Sequence, residues 1–121
     1  MDYAAFLGTV SQRAPVPRDK AEDLTRATLE TLAERLTRSE ADDLASELPN
    51  PMRESLISPT PQAEGFGLDE FVSRVGRRSG LAPEEARQGV RAVLSTLREG
   101  VGDGGYRHVL AQLPQEFAAL V

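Results

Sequence analysis

Residues 27–36 read ATLETLAERL, and residues 92–101, 65 positions later, read AVLSTLREGV. Shifting the whole sequence by 65 residues aligns residues 2–56 with residues 67–121 without a gap, and 12 of the 55 aligned pairs are identical. The apolar positions keep the same phase throughout this alignment. Because self-similarity at a fixed period indicates repeated structural units, the sequence predicts two copies of one unit.

Each copy has the apolar spacing of amphipathic helices. The apolar face of the first helix consists of Tyr3, Phe6, Leu7 and Val10, which recur as Leu68, Phe71, Val72 and Val75. These residues follow the i, i+3, i+4, i+7 pattern of one helical face. A longer stripe covers residues 21–36 and recurs over residues 86–101. A proline precedes it in both copies, at a place where a helix can begin without losing a hydrogen bond.

Proline also ends a third helix at matching places. Residues 47–52 read ELPNPM and residues 112–117 read QLPQEF. Proline disfavours helical geometry in the residue before it, so each Leu-Pro pair closes a helix. We expect Asp2 to cap the first helix and Ser39 to cap the third helix of the first copy. A short fourth helix should be capped by Asn50, with Pro51 in its first turn. The second copy should bury Leu113 at the end of its own third helix.

These patterns predict an all-α protein, because no stretch alternates apolar and polar residues as a strand does. The predicted architecture is a tandem internal repeat of two four-helix units packed with pseudo-twofold symmetry. Residues 1–56 form the first unit, residues 57–67 a linker rich in Pro and Gly, and residues 68–121 the second unit. A chain of one unit's length buries only about 60% of its surface, so the two units should share one compact domain. Phe66 in the linker either pins their interface or simply precedes the next helix.

Composition excludes several classes of function. The 121 residues carry a formal charge of -5, which makes nucleic acid an unlikely partner because phosphate binding needs a basic face. There is no cysteine, so disulfides and thiolate metal sites are excluded. We find no apolar run of about 20 residues that could span a membrane and no basic leader at the N-terminus. The sequence therefore favours a soluble cytoplasmic protein.

Three motifs carry a family resemblance. The first is FLGTV at residues 6–10, which recurs as FVSRV, and the second is the ATLETLAERL stretch quoted above. The third is the LASELP closure at residues 44–49, which recurs as VLAQLP. With these motifs the sequence resembles the domain of unknown function 2267 family of short bacterial proteins over nearly its whole length. The resemblance implies a tandem helical fold and no assigned activity, so it transfers no functional residues.

Candidate catalytic motifs have simpler explanations. Residues 100–105, GVGDGG, match the dinucleotide fingerprint, but they follow a predicted helix instead of a strand and are better explained as a turn. His108 is the only histidine and has no partner ligand at metal spacing. Asp42 and Asp43 are neighbours and point in different directions on a helix. We therefore predict no catalytic residue, no cofactor and no metal, and expect that the protein is not an enzyme.

The strongest surface feature is basic. The predicted binding residues for a partner or an anion are Arg74, Arg77, Arg78, Arg87 and Arg91. In an antiparallel helix pair these guanidinium groups could approach one another and bind an acidic peptide, a phosphate or nucleic acid. The alternative is an ordinary solvated face, in which Glu70 pairs with Arg74 and Glu84 with Arg87 along their helices.

Three charged residues recur in both copies. Arg13, Arg26 and Glu34 recur as Arg78, Arg91 and Glu99. Core packing does not require charged residues at matching places. We therefore predict structural ion pairs across the interface between the copies, with a repeated binding site as the alternative.

The leading functional hypothesis is a non-enzymatic helical module that acts through protein-protein contact, with an unknown protein partner or by self-association. It rests on the apolar stripes that account for most of the sequence. The first alternative is anion or nucleic-acid binding through the arginine-rich face of the second repeat. The second is a small-ligand pocket between the repeats, whose apolar lining a sequence cannot distinguish from core.

Overall fold

The computed structural model describes residues 1–57, 62–102, 104, 107 and 117. Six α-helices make up its regular structure over this part of the chain, which confirms the predicted all-α class. The helices are α1 (Tyr3–Arg13), α2 (Arg18–Arg35), α3 (Arg38–Ala45), α4 (Asn50–Arg53), α5 (Leu68–Ser79) and α6 (Pro83–Gly100). The first and last residues of α6 lie 65 positions after those of α2, the same offset as in the sequence alignment.

The two long helices form the centre of the core. Helix α2 packs against α1, α4, α5 and α6, and α6 packs against α1, α2 and α5. The predicted stripe on α2 is buried, and its fully buried members are Ala21, Leu24, Thr28, Leu32 and Leu36. The matching stripe on α6 is buried as well, from Ala86 to Val101. Amphipathic periodicity thus identified the inward face of both helices.

The crossing of α2 and α6 leaves no room for a side chain at Gly89. A Cβ atom added there would lie 2.5 Å from Cδ1 and 3.1 Å from Cγ of Leu24. Leu24 is itself fully buried and has little freedom to move aside. The absence of a side chain at Gly89 therefore sets how closely the two long helices approach.

Two predicted helix caps differ from the structure, and one is confirmed. Asp2 caps α1 as expected, accepting hydrogen bonds from the amides of Ala4 and Ala5. Helix α3 is capped by Thr37 and not by Ser39, so that prediction was wrong. The Thr37 hydroxyl accepts from the amide of Glu40 at 3.2 Å, and the Glu40 carboxylate accepts from the amide of Thr37 at 2.8 Å. This capping box satisfies two amides at once, which a cap at Ser39 would not do.

The start of α4 also differs from the expectation. Asn50 is the first residue of that helix, and Pro49 occupies the cap position with extended backbone. Pro51 lies in the first turn as predicted, where its missing N–H breaks no helical hydrogen bond.

The predicted linker contacts the helices through Glu64 and Phe66. The amide of Glu64 donates to the carbonyl of Glu34 at 2.8 Å, in the last turn of α2. The Arg35 guanidinium donates to the carbonyl of Glu64, and the ring of Phe66 packs against the core with its centroid 6.3 Å from that of Phe71. Phe66 thus contacts α2 through Arg35 and α5 through Phe71.

Several predictions fall on residues that the structure does not describe. The third helix of the second copy, with Leu113, and the histidine at His108 lie outside the described residues, as does most of QLPQEF. Phe117 of that motif is described and is fully buried, with its ring 5.2 Å from Phe71 in an edge-on arrangement. None of the helices in the described part combines the length and the apolar character that crossing a bilayer requires.

We expect Gly89→Ala to lower the free energy of unfolding by about 1–3 kcal/mol, because the added methyl group overpacks a closed site. In a Leu24→Ala background, the same substitution should raise the free energy of unfolding by up to about 1 kcal/mol. The clash is then gone, and alanine has a higher helix propensity than glycine. Urea unfolding of the wild type, both single variants and the double variant measures this difference. A destabilisation of equal size in both backgrounds would contradict the close contact.

Candidate functional site

Glu34 in the last turn of α2 binds two arginines from α5. Its carboxylate oxygens accept from Arg78 at 2.9 Å each and from Arg74 at 3.1 Å. The Glu34 side chain is only 16% exposed, so water weakens these ion pairs less than it does on an open surface. Glu34 therefore joins the end of α2 to the middle of α5.

Arg74 is surrounded by acceptors. It also donates to Glu70 at 2.8 Å, one turn earlier on α5, and to Glu64 of the linker at 3.4 Å. Its guanidinium carbon lies 3.8 Å from the ring centroid of Phe66, a cation–π contact. The hydrogen bond to Glu70 is the largest cause of a raised pKa for Arg74 and outweighs burial, and Glu34 and Glu64 raise the pKa further. Arg74 is thus an internal cation of the fold.

The same arginines fix the charge of Glu34. Burial raises the pKa of a carboxyl group, but the hydrogen bonds from Arg78 and Arg74 outweigh it and leave the pKa of Glu34 below its ordinary value. The carboxylate is therefore ionised at neutral pH and gains from folding.

A second ion pair joins α1 to α6. Arg13 binds Glu99 at 2.8 Å and also donates to the hydroxyl of Thr96 at 3.3 Å. Arg78 likewise donates to the hydroxyl of Thr31 at 2.8 Å, beside its pair with Glu34. The structure confirms that these recurring residues form ion pairs between helices. The Arg13 pair is more exposed, since the Glu99 side chain is 60% accessible.

The remaining recurring arginine behaves differently in its two positions. Arg26 pairs with Asp23 within α2 at 3.2 Å, whereas Arg91 has an exposed side chain and no ion pair among the described residues. These two arginines therefore do not contribute to the ion pairs between helices that were predicted for them.

The five predicted binding arginines do not converge on one face. Glu34 binds Arg74 and Arg78, Glu70 binds Arg77, and Asp69 binds Arg87. Arg91 binds no carboxylate within the described residues. The expected pair of Glu84 with Arg87 is replaced by a contact with Asp69 across the helix pair, at 3.2 Å. Only the Glu70 pair with Arg74 forms along the helix as predicted. Carboxylates of the same chain thus occupy four of the five guanidinium groups.

Three of these arginines, Arg77, Arg87 and Arg91, line two grooves. The α5–α6 groove has a volume of about 520 Å³ and is lined by Asp69, Val72, Ser73, Gly76, Arg77, Leu81, Pro83, Glu84 and Arg87. The α1–α6 groove has a volume of about 410 Å³ and is lined by Arg13, Pro15, Gln88, Arg91, Ala92 and Ser95. The sequence patterns do not single out Gln88 or Ser95. One difference between the copies could have identified them. The first copy has the acids Asp23 and Glu30 at the equivalent positions, where the second copy has these neutral residues.

The described residues offer no grouping for a metal ion. No three His, Cys, Asp or Glu side chains in the ranges that the structure covers come together as ligands. The guanidinium group of Arg74 binds the carboxylates of Glu34, Glu64 and Glu70.

We expect Glu34→Gln to lower the free energy of unfolding at neutral pH by about 1–3 kcal/mol, because two arginines lose hydrogen bonds to a charged acceptor. Glu99→Gln is the matched control, and its effect should stay below about 1 kcal/mol because the pair is exposed. Urea unfolding of both variants measures the difference. Equal effects would show that burial of the Glu34 pair contributes nothing.

Acid should remove the contribution of Glu34. Its pKa is lowered in the folded protein, so the stabilisation is complete above the ordinary value of 4.5 and is lost as the pH falls through the folded pKa. The wild type should therefore lose more stability than Glu34→Gln on acidification below about pH 4.5. Parallel losses in both proteins, measured by urea unfolding at stepped pH, would contradict this assignment.

Comparison with known proteins agrees with the resemblance seen in the sequence. No curated protein matches the chain. A family profile described as uncharacterized conserved protein (DUF2267) matches residues 3–120. Because this match covers nearly the whole length, the chain belongs to the domain of unknown function 2267 family.

Proposed function

We propose that this protein is a non-enzymatic helical module that acts by contact with a protein partner. The observation that carries the proposal is the α5–α6 groove, an open cleft of about 520 Å³ between two helices. Grooves between helices are common docking places for an extended or helical segment of another protein.

The lining of the α5–α6 groove indicates the chemistry of the partner. Val72 and Leu81 supply apolar surface, together with the backbone of Gly76. The rim carries both signs of charge, from acids such as Asp69 and from arginines such as Arg77. A polyanion would meet the acids, so the mixed rim favours a protein segment that inserts an apolar side chain between charges of both signs.

The arginine contacts support a structural role for most of the charged residues. Four of the five predicted binding arginines are neutralised by carboxylates of the same chain. A face of this kind offers little net charge to nucleic acid, whose binding depends on displacing counterions with basic groups. The family description names no activity, and a non-enzymatic role is consistent with it.

We also propose that the chain is a tandem repeat with pseudo-twofold symmetry, formed by residues 1–56 and 68–121 with residues 57–67 between them. The contacts of α1 with α6 and of α5 with α2 support this arrangement, because each pairs the first helix of one half with the second helix of the other. The ion pairs support it further, since Arg13–Glu99 and Arg78–Glu34 join residues that are equivalent at the 65-residue offset.

A cytoplasmic location is part of the same proposal. It is supported by the cysteine-free composition, which suits a reducing compartment.

Ser73→Trp should abolish partner binding, because Ser73 is exposed and lines the α5–α6 groove, so that an indole group there fills the cleft without entering the core. Gln12→Trp is the matched control, placed on an exposed helical position that lines neither groove. Affinity capture from the native cell, with quantitative identification of retained proteins, compares the wild type with both variants. Thermal unfolding of each confirms that both remain folded.

The proposal requires a protein that the wild type and Gln12→Trp retain and that Ser73→Trp loses. Retention that is equal in all three proteins would exclude the groove as the docking place. Light scattering after size-exclusion chromatography measures the oligomeric state of the same proteins. A dimer that Ser73→Trp dissociates would mean that the occupant is a second copy of this chain and would replace the proposed partner.

A further inference from the structure

The α1–α6 groove differs in charge from the chain as a whole. Two arginines line it and no carboxylate among the described residues does, although the chain carries a formal charge of -5. Arg13 belongs to α1 and Arg91 to α6, so the two cations come from opposite walls. The field in this groove therefore favours an anion.

Comparison with the first half of the chain explains why Arg91 makes no ion pair with the described residues. Arg26, which lies 65 positions earlier, donates to Asp23 at 3.2 Å and is followed one turn later by Glu30. Arg91 has no acid at either of these places. Its side chain is exposed and makes no ion pair among the residues that the structure describes. The guanidinium group is thus available to a ligand.

Neutral hydrogen-bonding residues occupy the positions in the second half that are equivalent to those acids. Gln88 precedes Arg91 by one helical turn, and its amide can donate to an anion. Ser95 follows Arg91 by one turn, and its hydroxyl accepts from Arg13 at 3.1 Å. This bond ties the side chain of Arg13 to the α6 wall beside the groove.

Arg13 retains donor capacity despite its ion pair. Its two terminal nitrogens donate to Ser95, Thr96 and Glu99. A guanidinium group has five N–H bonds, and the Nε–H of Arg13 makes no hydrogen bond to the described residues. The pair with Glu99 halves the charge that the two arginines present together, so Arg91 must supply most of the attraction.

We propose that the α1–α6 groove binds a small solute through a phosphate group. Arg91 and the amide of Gln88 would hold the phosphate oxygens from α6, and Arg13 would approach from α1. Guanidinium groups suit phosphate because their N–H bonds match its oxygens in charge and geometry. The volume of about 410 Å³ leaves room for an organic group that carries the phosphate. The site shares no lining residue with the α5–α6 groove, so it goes beyond the proposed protein contact and does not depend on it.

The test is a titration of the isotope-labelled full chain with phenyl phosphate, followed by nitrogen–proton correlation NMR at constant ionic strength. The wild type should show saturable shifts centred on residues 88–95 and on Arg13. Arg91→Gln should weaken binding about tenfold or more, because a charge-assisted contact is lost. Arg26→Gln is the matched control and should bind as tightly as the wild type, since Arg26 is already held by Asp23.

Gln88→Asp provides a test that leaves Arg91 in place. The new carboxylate stands one turn before Arg91, as Asp23 does before Arg26, and should pair with it. Binding should weaken about tenfold or more, because the guanidinium group is occupied and the acid repels phosphate. The same spectra show whether each variant is folded.

The outcomes separate the alternatives. Tighter binding of phenyl phosphate than of inorganic phosphate identifies a phosphate monoester, and the reverse identifies free phosphate; either supports the site. Acetate that binds as tightly as both would overturn the choice of phosphate. Wild-type spectra without saturable shifts would overturn the site itself, as would an equal loss of affinity in Arg26→Gln and Arg91→Gln.

Discussion

The burial of α2 among four other helices is the constraint on which the described structure depends. On a helix covered on most sides, each polar group without a partner costs several kcal/mol. Thr25 of α2 bears that cost, because its buried hydroxyl makes no hydrogen bond to the described residues, but the other two buried threonines of α2 avoid it. The hydroxyls of Thr28 and Thr31 accordingly donate to carbonyls one turn earlier, each at 2.8 Å. Charged groups appear where α2 nears the surface, at Glu34, and there the arginines of α5 and the docked linker meet. The placement of the charged network thus follows from the placement of the apolar core.

The two ion pairs between helices show that equal residue types do not make equal contributions. Glu34 and Glu99 occupy matching places in the sequence alignment, and each binds an arginine from a neighbouring helix. Glu34 is more deeply buried and binds two arginines, so its pair resists screening, whereas an exposed pair contributes little. Use of arginines as internal partners also removes them from the surface. Four of the five arginines in the basic face suggested by the sequence are therefore bound within the fold, and Arg91 is the one of the five that makes no ion pair with the described residues.

Much of the fold could be predicted from the sequence because apolar periodicity records which side of a helix faces inward. The stripes on α2 and α6 were predicted correctly, and so was the cap at Asp2. The third helix was not placed as well, since Ser39 and Thr37 both suit a cap and only the reciprocal bond with Glu40 decides between them.

Contacts between helices could not be predicted from the sequence, for a physical reason. Spacing along one helix says which residues share a face, but it does not say which face of another helix lies opposite. The partner of Arg87 was therefore predicted on its own helix and found on α5. A pocket between the repeats was one hypothesis, but the lining residues of the grooves could not be predicted, since they depend on how far the helices stand apart. The sequence contained one usable signal for the site, the exchange of acids for neutral residues around Arg91, which becomes meaningful once the groove beside it is known.

The contact of Leu24 with Gly89 has a consequence for how such a fold could arise. Under the proposed symmetry these residues are equivalent, so they meet across the axis that relates the two halves. Two identical chains at a twofold axis must present the same residue from both sides, and leucine would then face leucine or glycine would face glycine. A continuous chain is free of that restriction. A leucine from one half can fill the volume at the axis, because the equivalent residue of the other half is a glycine. Joining the halves thus permits a seam that a dimer of either half could not form.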